Sequence, residues 1–265
     1  MTLDEALITA ARRYCKDNYT YWANRYAKER SGSDFPEYAY SDKDYDLFPR
    51  YNVLAAILGE VEMLVGKSFP ALLSCRETLA HIGHAAQSLF TLSDNPIEAA
   101  AIQGEREKFI HYVETITPEE LTKITPLPYR RRLNEKEREN VRQHLLDRWN
   151  YDGDYWDPLV EKSPGNILFL AKMHLTDADY QAIKDYICSH STPYLLEITE
   201  EATDTEITCS EFHPDCYETA YCDYSYDWLL YGSYESTITF AGEQLLSFIR
   251  QLFAGREQLF NQWPE

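Results

Sequence analysis

Cys222-Asp-Tyr-Ser-Tyr-Asp-Trp-Leu-Leu-Tyr-Gly-Ser-Tyr-Glu-Ser-Thr-Ile-Thr-Phe240 is the stretch on which the fold class turns. From 222 to 230 the even positions are Cys222, Tyr224, Tyr226, Trp228 and Leu230, with Asp223, Ser225 and Asp227 between them, which is the period of two of a strand with one apolar face. Ser236, Ile238 and Phe240 alternate in the same way with Glu235, Thr237 and Thr239. A two-residue turn at Gly232-Ser233 would set Trp228 against Thr237 and mix the faces. A three-residue loop from Gly232 to Tyr234 pairs Trp228 with Ile238 and Tyr226 with Phe240. It leaves Asp223, Asp227, Thr237 and Thr239 on an open face. The expectation is an antiparallel hairpin with an acidic outer surface.

Upstream of the hairpin, β-formers recur in Leu195-Leu-Glu-Ile-Thr and Glu206-Ile-Thr-Cys, and Pro193 closes a helix that Thr176 and Asp179 cap. Ile167 to Met173 is a further strand candidate, Asn134 caps a charged helix to Trp149, and Leu127 to Arg131 is a short strand candidate. Downstream, residues 243 to 260 read as a closing helix with Leu245, Leu246, Ile249, Leu252 and Phe253 on one face. Before Pro126 the pattern is helical: a capping box at Thr2 and Glu5 opens a helix to about residue 29, a loop runs to about Arg50, and Val53 to Val65 is helical. Ser68 opens a helix continuing to Leu92, Asn95-Pro96 one to Thr115, and Thr117 a short last one. The fold class is α+β, with a helical region 1–125 and an α+β region 126–265.

The formal net charge is −19, from 44 acidic and 25 basic residues, and 44% of the chain is hydrophobic. That is the composition of a folded protein, and its sign disfavours partners bound by phosphate neutralisation, nucleic acid and anionic membranes among them. No apolar run approaches the length of a membrane span, and Asp4 and Glu5 interrupt any signal-peptide order, so the expected location is cytoplasmic. In that compartment the six cysteines are expected as thiols or metal ligands.

The charge is unevenly spread. Between Asp185 and Ile249 there is no Lys or Arg in 65 residues, against 13 acidic residues and eight tyrosines. Tyrosine gives large contact area at low entropic cost, and an acidic field speeds encounter with a basic partner. Asp215, Glu218, Asp223, Asp227, Tyr231, Tyr234 and Glu235 are therefore the candidate partner-binding residues. The opposite bias lies at 123–150, with eight basic residues against four acidic, and is expected to pair with the acidic half across a domain interface. On a strand, consecutive Arg130, Arg131 and Arg132 cannot all face one way.

No catalytic motif is complete. Gly66-Lys67-Ser68 lacks the first glycine of a phosphate-binding loop, since position 61 is Val61. Asp42, Asp44 and Asp46 begin like a calcium loop but have Leu47 and Val53 where it needs Gly and Glu. His213-Pro214-Asp215 matches the cochaperone tripeptide without the basic helix on which that tripeptide depends. Two metal readings remain: Cys209, His213, Cys216 and Cys222 have zinc-compatible identities, and His81 and His84 share a helical face with Glu77. Each has a structural alternative, Cys222 on the apolar hairpin face and the histidines in a polar helical seam, so no metal and no cofactor is expected.

The segments Arg148-Trp-Asn-Tyr-Asp-Gly-Asp-Tyr-Trp-Asp-Pro-Leu159 and Asp227 to Phe240 resemble blocks in uncharacterised bacterial proteins, and their acidic, tyrosine-rich character is similar to that of immunity proteins that neutralise antibacterial toxins. The resemblance implies a binding function without chemistry and transfers no catalytic residue. Two functions follow: an immunity or antitoxin-like module that blocks a basic partner surface, and a metal-dependent enzyme using His81 and His84 or the Cys209–Cys222 cluster.

Overall fold

Thr2 and Glu5 close a reciprocal capping box in front of α1 (Leu3–Arg30), the Glu5 carboxylate accepting from the Thr2 amide at 2.7 Å. This is seen in a computed structural model, which describes residues 1–31, 40–91, 94–156, 167–201 and 203–263. The chain divides into two units, Met1–Leu127 and Pro128–Glu265.

In the first unit, α2 (Asp42–Glu62) begins well before the expected Val53. Ser41 and Asp44 form a second capping box, and the helix continues through Pro49, whose ring is buried. The cap and the burial of Leu47 and Pro49 offset the hydrogen bond that an interior proline removes. α3 (Leu72–Ala85) starts after Ala71, not at Ser68, and ends before the expected Leu92, which lies outside the described residues. α4 (Pro96–Thr115) and the short α5 (Pro118–Leu121) follow as the caps at Asn95 and Thr117 dictate. Leu7, Leu54, Ile57, Leu79 and Phe109 form the fully buried core. Gly83 lets α3 approach α4 closely, since a Cβ there would lie 2.7 Å from Ile110. Arg76 of α3 donates to the carbonyls of Val113, Glu114 and Ile116 at the end of α4, and Arg106 of α4 donates to those of His84 and Ala86 at the end of α3. Each helix thus satisfies the orphan carbonyls of its antiparallel neighbour.

The second unit is a seven-stranded sheet between helices. Its strands are β1 (Arg130–Arg132), β2 (Ile167–Ala171), β3 (Leu195–Thr199), β4 (Thr205–Ile207), β5 (Thr219–Asp223), β6 (Leu229–Gly232) and β7 (Thr237–Ala241). They lie in the order β1-β4-β3-β5-β6-β7-β2, every neighbour antiparallel. α6 (Glu135–Trp149) covers one face through Val141, Leu145 and Trp149, packed on Leu196, Ile198, Ala220 and Tyr231. α7 (Asp177–His190) and α8 (Glu243–Leu252) cover the other, where Ile183, Ile187, Leu245 and Ile249 meet Leu195, Leu230, Ile238 and Phe240. Among the described residues no helix is long and apolar enough to cross a membrane.

The architecture is α+β, with a helical N-terminal half, a mixed C-terminal half, an antiparallel hairpin and a closing helix. In the second unit the closing helix ends at Leu252 and not at 260, and three further details depart from expectation. The run from Cys222 to Leu230 is two strands: Asp223 accepts from the Ser225 amide at 2.9 Å, Tyr226 adopts φ +55°, and the chain turns between β5 and β6. In the β6–β7 hairpin, Leu230 lies opposite Phe240 and Gly232 opposite Ile238, with the reversal at 233–236 and Ser236 at φ +59°. Gly232 is thus a strand residue. Its hydrogen faces the Cys216 carbonyl, which a Cβ would approach to 2.1 Å. The slip from the expected register is even, so Ile238 and Phe240 keep their face, but the other face lies under α6 and Thr237 and Thr239 are buried. The third departure is covalent: Cys188 of α7 and Cys209, just beyond β4, form a disulfide with Cα atoms 5.7 Å apart. A separation of 21 residues gave no sign of it, because the contact is made by tertiary packing of α7 over the sheet.

The basic segment meets the acidic one inside this unit. Arg130 binds Glu197 of β3, Arg131 binds Glu206 of β4 and Glu137 of α6, and Arg142 of α6 grips Asp204 through both carboxylate oxygens at 2.8 and 2.9 Å. Arg130 and Arg131 do point to opposite faces, as alternation requires. Burial pushes the carboxyls of Glu197 and Glu206 up, but Arg130 with Tyr221 and Thr205, and Arg131 with Tyr129 and Tyr224, hold both below the usual glutamate range.

Candidate functional site

Antiparallel strands bring the connections of the second unit to two ends of the sheet. One end is marked by Thr199, Thr219, Gly232 and Ala171, the other by Leu195, Asp223, Leu229 and Ala241. The candidate partner-binding residues separate between these ends and the interior.

At the first end, the loop 213–218 and the hairpin turn 233–236 lie together, tied by a hydrogen bond of 3.0 Å between the Tyr217 and Ser236 hydroxyls. Asp215, Glu218 and Tyr234 are exposed and Glu235 is half-exposed. Tyr155 joins them: its hydroxyl donates to Glu235 at 3.0 Å and its ring lies 5.7 Å from that of Tyr234. Tyr217 and Tyr234 are each 57% exposed, so large aromatic surface faces solvent among carboxylates. Among the described residues one cation lies at this place, and it is engaged internally. Lys172 has its ammonium 3.0 Å from Asp215 and 3.8 Å from the centre of the Tyr217 ring, and donates to the Cys216 carbonyl.

Two candidates are not surface residues. Asp223 is 3% exposed and accepts from the Thr192 amide, the Ser225 amide and the Ser225 hydroxyl. Tyr231 is fully buried under α6, its hydroxyl donating to Glu200 at 2.8 Å. Tyr231, expected as an exposed contact residue, lies on the face that α6 covers. Asp223, expected on an open face, falls with Tyr221 on the α7–α8 side of the sheet and is closed off by the turn at 224–228. Asp227 is exposed but stands at the far end of the sheet from Tyr234, paired with Arg148 at 3.0 Å.

That far end holds a cleft of about 490 Å³ between the last turn of α7, the 224–228 turn and the first turn of α8. The stacked rings of His190, Tyr186 and Phe248, at 4.2 and 4.1 Å, run beside it. His190 Nδ1 lies 2.8 Å from the Tyr186 carbonyl, which can only accept, so Nδ1 donates there and in the neutral ring Nε2 is the acceptor. Trp228, Asp227 and Glu243 form other parts of the wall.

The metal candidates do not converge. Cys209 is in the disulfide, His213 is exposed, Cys216 is packed on the α7–α8 side of the sheet, and Cys222 on the α6 side. The sheet itself separates the last two, and burial pushes the Cys216 thiol up to about 12 and the Cys222 thiol well above its ordinary value, against the thiolate a metal needs. His81, His84 and Glu77 are exposed on α3, so the expected seam inside a helical bundle is absent at those positions. Among the described residues no group of three or more His, Cys, Asp or Glu side chains gathers as a metal site would require.

Searches of family models, of curated proteins and of solved structures returned no match to this chain. Sequence reasoning missed Lys172 and Tyr155 at the first end and Tyr186, His190 and Glu243 at the second. Tyr155 lies in the acidic, aromatic run from Arg148, which was a usable signal; the others are joined only by the topology.

Proposed function

We propose that the second unit is a protein-binding module of the immunity or antitoxin kind, which covers a basic surface on a partner and blocks it without chemistry. The observation that carries this reading is the surface at the first end of the sheet, where Tyr155, Tyr217 and Tyr234 stand exposed among Asp215, Glu218 and Glu235 while Lys172 is consumed from within. Rigid amphipathic rings supply contact area, and three carboxylates against the one ammonium of Lys172, among the described residues, leave a net negative field that steers a cationic partner. A nuclease or another effector that acts on an anionic substrate presents the complementary charge.

The test begins with capture of the partner from the native host and continues with association kinetics at several salt concentrations. Asp215→Lys with Glu218→Lys should slow association and flatten its salt dependence, since rim charges act on the on-rate. Tyr234→Ala should shorten the lifetime of the complex by tenfold or more, as truncation of an aromatic anchor does. Kinetics indifferent to all three changes would remove this surface from the interface.

A further inference from the structure

We infer that the cleft at the second end of the sheet is a receptor for one cationic group, a guanidinium or an alkylammonium. The inference starts from its volume of about 490 Å³, which accommodates a side-chain-sized ligand, and from the charges around it. Three carboxylates line it: Asp223, Asp227 and Glu243. Against them, among the described residues, stands one guanidinium, that of Arg148.

The helix ends do not reverse this balance. α7 presents its C-terminal, negative end through Ile187, His190 and Ser191, and α8 its N-terminal, positive end through Glu243, Gln244 and Leu245. Those two partial charges offset one another, and the first residue of α8 adds the Glu243 carboxylate on the side where the dipole alone would attract an anion. In its neutral form His190 contributes an acceptor at Nε2, because Nδ1 is committed to the Tyr186 carbonyl. The half-buried Trp228 indole gives the wall an apolar and π-rich section suited to a flat cation.

The molecule already shows the chemistry on the rim. Arg148 reaches Asp227 at 3.0 Å with both side chains more than half exposed, an arrangement of little strength that a better-placed cation can replace. Asp223 has a different part. Its oxygens are held by the Thr192 and Ser225 amides, so it supplies fixed negative potential at the floor while Asp227 and Glu243 remain for direct contact. This inference does not rest on the partner-binding surface, which lies at the opposite end of the sheet, and the two fail independently.

The experiment titrates the full chain with agmatine, with a terminally blocked Gly-Arg-Gly peptide, with N-butylguanidine and with its neutral isostere N-butylurea, and follows the indole signal of Trp228, assigned by Trp228→Phe, together with calorimetry. Saturable binding of a guanidinium compound is expected, with N-butylurea at least tenfold weaker. Asp227→Asn with Glu243→Gln should weaken it at least tenfold, Arg148→Ala should strengthen it by removing the internal competitor, and Asp215→Asn at the other end should leave it unchanged. Thermal melting of each variant separates loss of binding from loss of fold. Preference for the peptide identifies the side chain of a protein as the source of the cation, and preference for agmatine a free amine. No saturable change at Trp228, equal response to N-butylurea, or full binding by the folded Asp227→Asn, Glu243→Gln variant would each overturn the assignment.

Discussion

Arg131 of β1 and Glu206 of β4 stand opposite each other in the antiparallel register, and their side chains pair at 3.2 Å. Glu206 also accepts from the hydroxyls of Tyr129 and Tyr224, and Arg131 reaches on to Glu137 of α6 at 2.9 Å. A three-residue edge strand has little backbone pairing of its own, so these side chains hold β1 to the sheet.

Arg131→Ala should therefore cost about 3 kcal/mol, because Glu206 is left largely buried without its cation. Urea unfolding monitored on the sheet is the measurement. A cost within experimental error would mean that Tyr129 and Tyr224 alone suffice.

Stability should also fall in acid with a defined sign. Glu197 and Glu206 have folded pKa values below the ordinary 4.5, so their contribution is fully present above about pH 4.5 and is lost as the pH drops through the folded values. Asp179, which Arg256 and the Thr176 cap hold at about 2 against an ordinary 3.8, extends the loss further down. Denaturant midpoints measured from pH 7 to pH 2.5 should show this decline, and Glu206→Gln should reduce its slope.

Loss of the Cys188–Cys209 bridge should destabilise the second unit by about 3 kcal/mol, the chain-entropy value for a loop of this size. Cys188→Ser and Cys209→Ser should give the same melting temperature, and dithiothreitol should bring the unmodified protein down to it. A reductant-insensitive melt would show that the bridge adds nothing.

Two tyrosines only three residues apart should behave in opposite ways. Tyr231→Ala empties a fully buried site and should cost about 3 to 5 kcal/mol. Tyr234→Ala, on the exposed turn, should change stability by no more than about 0.5 kcal/mol. Chemical denaturation of both variants decides it, and comparable losses would contradict the burial of one and the exposure of the other.

Much of the helical structure was legible because its signals are local. Thr2, Asn95, Thr117, Asn134 and Thr176 each cap the helix they were read to cap. The same kind of cap at Ser41 was overlooked, since Pro49 and the polar run before it resemble a loop until burial of Leu47 is known. The sheet was harder. Alternation runs unbroken through 224–228 because the turn there uses Tyr226, not glycine, in the left-handed region, while Gly232, which looks like the turn residue, serves a close approach by Cys216. Burial of Tyr231 was invisible for a related reason: alternation tells one face from the other, but not whether a helix from elsewhere in the chain covers the polar one. Asp223 was misplaced because β5 ends at that residue and its carboxylate turns back to the Thr192 and Ser225 amides. Pairing of the arginine run with the acidic stretch was anticipated in kind, though it occurs within one unit and not between two.

The ion pairs of β1 and α6 also bear on the order in which the protein is made. Arg130, Arg131, Arg142 and Arg148 leave the ribosome before Glu197, Asp204, Glu206 and Asp227, their partners in the finished sheet. The acidic strands therefore emerge to find their counterions already waiting, and a nascent chain that contains no cation for 65 residues need never face its own repulsion alone. A fragment that starts after Trp149 would be born without that provision.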